Sequence, residues 1–193
     1  MTSTREPFDA ATALAGGQDG FDALDLTHRQ IVVELGKLAA LVSRLDSAGL
    51  DVETRNLARE VGGFFATTAR LHHEDEERHV FPKMEASGDA DIVQAVLRLK
   101  QDHHWIEEDW RELAPHVDAV ASGQLWYDVD VLREGVNIFI ALSLDHMALE
   151  ESYVYPEAKA KLGAVERREM GREMAARRRQ KPKRKARPAA PPG

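Results

Sequence analysis

Residues 72–82 read HHEDEERHVFP and residues 146–156 read HMALEESYVYP. Set against each other at an offset of 74, they share the pattern H-x-x-x-E-E-x-x-V-aromatic-P. A second match precedes each. His28, followed by Ile31 and Leu35, stands 44 residues before His72, and His103, followed by Ile106 and Trp110, stands 43 before His146. The chain therefore reads as a duplicated helix pair. Each pair carries a His on its first helix and His-x-x-x-Glu on its second.

Apolar residues recur at helical spacing around these motifs. Leu26, Ile31, Leu35, Leu38, Leu41, Val42 and Leu45 form one stripe ended by Gly49. Asp51 is a plausible N-cap for a second helix through Val61, Phe64, Phe65 and Leu71, running to the Phe81-Pro82 break. ASGDAD (86–91) is a turn with a new cap, and a third helix follows through Val93, Val96, Ile106 and Trp110 to Ser122-Gly123. A fourth starts near Asp128 or Asp130 and weakens at Pro156. No strand–turn–strand pattern competes. The expected fold is all-α, an up-down-up-down four-helix bundle over residues 21–162. A flexible segment over 1–20 precedes it, and a short basic helix or tail over 163–193 follows, its last dozen residues disordered.

Composition narrows the chemistry. The chain has 193 residues and no cysteine, which excludes disulfides, thiolate catalysis and sulfur-ligated metals. Residues 1–165 carry 15 Lys+Arg and 30 Asp+Glu, whereas residues 166–193 carry 11 and 3. An acidic body is a poor nucleic-acid binder, although the basic tail allows weak contacts with nucleic acid or anionic lipid. The opening MTSTREPFDAATALAGG lacks a basic-then-apolar leader, and no apolar run is long enough to span a membrane. A cytoplasmic location without membrane insertion is the expectation. No phosphate-cradling glycine loop or nucleophile elbow is present.

At about 100° per residue, positions i and i+4 lie only about 40° apart on one helix face. His72 with Glu76, and His146 with Glu150, can therefore face one cavity, joined by His28 and His103 from the partner helices. Two buried carboxylates repel each other and are costly in a bundle core unless cations pair with them. Imidazole plus carboxylate suits iron, manganese or zinc. The ligand count allows two bridging carboxylates and two His per metal, with positions left for solvent or a diatomic ligand. One H-x-x-x-E alone is commonly a solvated ion pair, but two copies with matched upstream histidines point to metal.

The doubled H…H-x-x-x-E arrangement, with its EExxVFP and EExxVYP closures, resembles the hemerythrin-like (HHE cation-binding) family over roughly residues 21–160. The resemblance implies a non-haem centre of two iron ions, oxo- or hydroxo- and carboxylate-bridged, held by His28, His72, Glu76, His103, His146 and Glu150. It also implies O₂ binding or sensing, or iron handling, or nitric-oxide chemistry. The oxygen carriers have a His-x-x-x-His pair on the third helix, where this chain has His103-x-x-x-Glu107. They also use an Asp at +5 on the fourth helix, where this chain has Glu150 at +4 and Glu151 next to it. Both departures favour a more symmetric, more open site, nearer the redox and repair branches.

Other candidates are weighed around that set. His104 is about 100° from His103 and is expected at a seam or on the surface. His73 and Glu77 are expected to form an exposed i,i+4 pair. His79 and its counterpart Tyr153 lie on the ligand face one turn along, as partners of the carboxylates or as packing, with His79 as an alternative fifth ligand. Glu107 is either a further ligand or a solvated charge, and His116 is a surface residue. Trp105, Trp110, Trp126 and Tyr127 read as packing. The expected function is binding or sensing of O₂ or a related small oxidant. The alternatives are a redox enzyme acting on nitric oxide or peroxide, and an iron-storage or structural metal bundle.

Overall fold

A computed structural model describes residues 19–179, and these are entirely helical apart from short turns. In chain order the elements are α1 (Gly20–Ala48), α2 (Val52–Phe64), the π-helical turn π1 (Phe65–Ala69), α3 (Arg70–His79) and α4 (Phe81–Glu85). Then follow α5 (Ala90–Ser122), α6 (Val129–Leu149), a second π turn π2 (Glu150–Val154), α7 (Tyr155–Lys161) and α8 (Ala164–Arg179). Among the described residues no helix is long and apolar enough to cross a membrane. The terminal segments for which flexibility or disorder is expected fall largely outside the described residues.

Each long segment begins on an aspartate cap. The side chains of Asp19, Asp51, Asp89 and Asp128 accept hydrogen bonds from the amides of Phe21, Thr54, Asp91 and Asp130, donors that have no partner inside the helix. α5 ends at Gly123, whose φ of 75° is the left-handed conformation that glycine adopts without strain. Each π turn carries a hydroxyl that bonds back along its own helix. Thr67 Oγ1 donates to the Gly63 carbonyl and Ser152 Oγ to that of Ala148, four residues back, competing with the amide that an α-helix would place there.

The four long segments pack as a ring: α1 on α2, α2 on α5, α5 on α6 and α6 back on α1. Buried apolar side chains fall into two clusters. One holds Leu35, Leu38, Val61, Phe65, Ile106, Leu113, Val136 and Phe139. The other holds Phe21, Leu24, Phe81, Met84, Val96, Leu99, Val154 and Tyr155. Along α1 the chain passes from the second cluster to the first, crossing at His28. Along π1–α3 it returns, crossing at His72 and Glu76. α5 crosses at His103, and α6–π2 crosses back at His146 and Glu150. The sequence-predicted ligands thus form one polar layer between two apolar cores.

The C-terminal helix α8 is part of this packing. Met170, Met174 and Ala175 join the second cluster, and Gly20 lies so close to Met170 that an added Cβ would sit 2.4 Å from its Cγ. Arg177 and Arg178 both reach the buried carboxylate of Asp75, beside Glu76.

Candidate metal centre

Six side chains meet in the polar layer. His28, His72, Glu76, His103, His146 and Glu150 are all 2% exposed or less. His28 Nε2 lies 3.2 Å from Glu150 Oε2, and His72 Nε2 lies 3.4 Å from Glu76 Oε1. On the other side His103 Nε2 lies 3.3 Å from Glu76 Oε2, and His146 Nε2 lies 3.2 Å from Glu150 Oε1. Each carboxylate therefore turns one oxygen toward the His28–His72 pair and the other toward the His103–His146 pair. Two four-residue sets can each hold a cation, and Glu76 and Glu150 belong to both.

The second glutamate of each Glu-Glu doublet has a separate role. Glu151 Oε1 lies 2.8 Å from His28 Nδ1, and Glu77 Oε1 lies 2.8 Å from His103 Nδ1. A carboxylate in these pairs accepts, so the proton resides on Nδ1 and Nε2 is left to face the centre. The aromatic that closes each motif has a matching place. The Tyr155 ring stacks on His28 with centroids 5.3 Å apart, and the Phe81 ring stacks on His103 at 5.4 Å. Tyr155 alone carries a hydroxyl, which donates to Glu76 Oε1.

Several buried atoms of this layer have no hydrogen-bond partner among the described residues: Nε2 of His72, His103 and His146, Oε2 of Glu76 and both oxygens of Glu150. Groups of this kind cost free energy when unpaired in a protein interior. The residues present therefore fit a cation pair. Electrostatics agrees. Burial lowers the His146 pKa, but Glu150, Asp102 and Glu76 outweigh it and push the pKa up to about 10. His28 and His103 are raised against burial in the same way, by Glu150 and by Glu76 respectively. His72 is held well below its ordinary value by burial and by the neighbouring imidazoles. Glu76 is raised by burial and by Glu150. The carboxylates demand positive charge, and the raised His28, His103 and His146 answer it, whereas His72 does not.

Sequence reasoning misplaced some neighbours. His73 is buried, not exposed; its ring stacks on that of His103 (centroids 4.1 Å) and meets that of His146 edge-on (5.7 Å). His73, His103 and His146 form a third set able to hold a cation. Adjacent helical positions point about 100° apart, so His72 turns toward α1 and His73 toward α5 and α6. Glu77, assigned to His73 by its spacing, instead crosses to His103. His79 sits beside Glu173 of α8, 3.8 Å away, and does not enter the cluster. Tyr153 packs against the second apolar cluster. His104 is exposed beside Trp105, and Glu107 is exposed on α5; neither belongs to a cation-holding set. The supporting residues Glu77, Glu151 and Tyr155 had a signal in the repeat: the doubled Glu and the aromatic before Pro occur in both copies.

A family model described as the hemerythrin HHE cation binding domain matches residues 19–177. An uncharacterized protein of Haemophilus influenzae is 28% identical over 151 residues, covering 78% of this chain and 85% of that protein. Uncharacterized proteins of Mycobacterium bovis and Mycobacterium tuberculosis are 32% identical over 99 residues, covering 51% of this chain. That match spans 38% of the mycobacterial proteins' own length.

Proposed function

The chain belongs to the hemerythrin HHE cation-binding family, and on that premise we propose that it holds two non-haem iron ions in the polar layer and binds or senses O₂ or a related small oxidant there. The up-down-up-down order belongs to this reading, supported by the alternating directions in which the four long segments cross the layer between the two apolar clusters. One observation carries the reading. Glu76 and Glu150 each offer one oxygen to either histidine pair, the arrangement that two bridging carboxylates between two cations require. His28 and His72 would hold one ion, and His103 and His146 the other.

Iron bound here supplies one-electron redox chemistry and affinity for small oxygen or nitrogen ligands. The protein supplies the rest. Glu77 and Glu151 fix the tautomers of His103 and His28, Tyr155 orients Glu76, and the two apolar clusters keep bulk water from either side. His73 places a third imidazole on the His103–His146 side, which makes the two positions unequal.

Metal analysis and the visible spectrum of purified protein, in air and after reduction, test the reading. Two irons per chain and a spectrum that responds reversibly to O₂ are expected. His72→Ala and His146→Ala should each lower iron content and melting temperature together, because unpaired buried carboxylates remain. A colourless zinc protein, or unchanged stoichiometry in both variants, would refute it.

A further inference from the structure

A recess of about 370 Å³ opens between the α2–π1–α3 segment and α5. Phe65, Trp110 and Phe139 form its aromatic wall, each ring touching the other two with centroids 5.0, 5.1 and 5.6 Å apart. His73 closes its inner end. Behind it lies a second cavity of about 20 Å³, bounded by His72, His73 and His146 of the polar layer. Phe65, Ala69, His73, Ile106 and Phe139 border both spaces, so a single layer of side chains separates the recess from the site.

The backbone explains why there is room. π1 widens the chain at 65–69, and Pro115, lacking an N–H, interrupts the hydrogen bonding of α5 on the facing wall. Three residues along this seam, Ala66, Ala69 and Ala114, carry only a methyl group. The charges at the rim select against anions. Arg70 is paired with Glu74 at 3.0 Å and Arg111 with Glu108, whereas Glu107 and Asp118 have no cationic partner among the described residues. Pockets of roughly 300–1,000 Å³ with apolar walls are the size that holds small organic ligands, and a diatomic gas needs far less. A cavity lined by Ile and aromatic rings favours an apolar guest over water.

We infer that this recess admits and holds an uncharged apolar molecule, up to one aromatic ring in size, on the His73 side of the centre. The destination rests on the proposed metal centre; the recess itself does not. Fluorobenzene titrated into purified protein tests it, followed by the indole N–H resonance of Trp110. A saturable shift with a millimolar dissociation constant is expected. Ala114→Phe and Ala66→Phe, which fill the recess from opposite walls, should each weaken binding by about tenfold or more, so a folding defect in one leaves the other to decide. In iron-loaded protein the ¹⁹F resonance of the bound ring should broaden relative to metal-free protein. Absence of a saturable shift, or undiminished affinity in a folded filled variant, overturns the inference. Normal iron uptake without fluorobenzene binding sinks the recess and spares the centre. Fluorobenzene binding by a chain that takes up no metal sinks the centre, and the route to it as well.

Discussion

The imidazole of His73 lies nearly parallel to that of His103, their centroids 4.1 Å apart and their planes inclined by 17°. Nδ1 of His73 is buried without a hydrogen-bond partner among the described residues. A ring placed for stacking alone is replaceable by phenylalanine, whereas a ring placed as a ligand is not. We expect His73→Phe to weaken one of the two bound ions by about tenfold or more, the scale seen when a metal site loses part of its support. The other ion should be held within about twofold. Iron retained against a graded series of chelators measures both, and equal retention of both ions would reduce His73 to packing.

Glu77 and Glu151 are about half exposed, so their loss should leave the fold intact while releasing His103 and His28 from their tautomers. Glu77→Ala and Glu151→Ala are each expected to cost about 10–100-fold in metal affinity. The losses should fall on different ions, on the His103 side for Glu77 and on the His28 side for Glu151. Spectroscopy of singly loaded protein separates them, and a shared loss at one position would contradict the paired arrangement.

Tyr155 is fully buried and donates to Glu76. Removing the hydroxyl in Tyr155→Phe keeps the stacking on His28 and leaves a buried carboxylate oxygen short of a donor. A hydrogen bond to a charged group is worth about 1.5–3 kcal/mol, and urea unfolding of metal-free protein should lose a similar amount. Unchanged stability would mean that the hydroxyl serves only when metal is bound.

Asp51 caps α2 from the surface. The backbone amide of Thr54, then its hydroxyl, and Arg44 hold the Asp51 carboxyl down to about 2, from an ordinary 3.8. A depressed carboxyl contributes stability above its unfolded value, and that contribution disappears as pH falls from 3.8 through 2. The melting temperature of metal-free Asp51→Ala should therefore lie below that of the parent at pH 6, by a margin constant down to about pH 5. The gap should shrink through pH 3 and close only below pH 2. A gap as wide at pH 2 as at pH 6 would show that the cap acts through something other than its charge.

The sequence by itself determined the long helices, the aspartate starts of all but the first, and the six histidines and glutamates that meet in the polar layer, though not His73 beside them. These follow from local rules: a period of 3.6 residues, side-chain acceptors for unpaired amides, and the spacing that puts i and i+4 on one face. Duplication of the motif supplied what one copy lacks, since it picked His103 over His104 and Glu150 over Glu151 by alignment. It also contained the doubled Glu and the closing aromatic, whose purpose is invisible until the opposite helix is in place.

Only the tertiary structure decided where His73, Glu77 and His79 point. Each lies on a helix with several neighbours, and spacing along one helix says nothing about which neighbour stands at a given angle. His73 and Glu77 are one turn apart, as an exposed pair would be, yet both turn to α5 and share His103. His79 lies in line with His72 and Glu76, but α3 ends there and α8 covers it with Glu173.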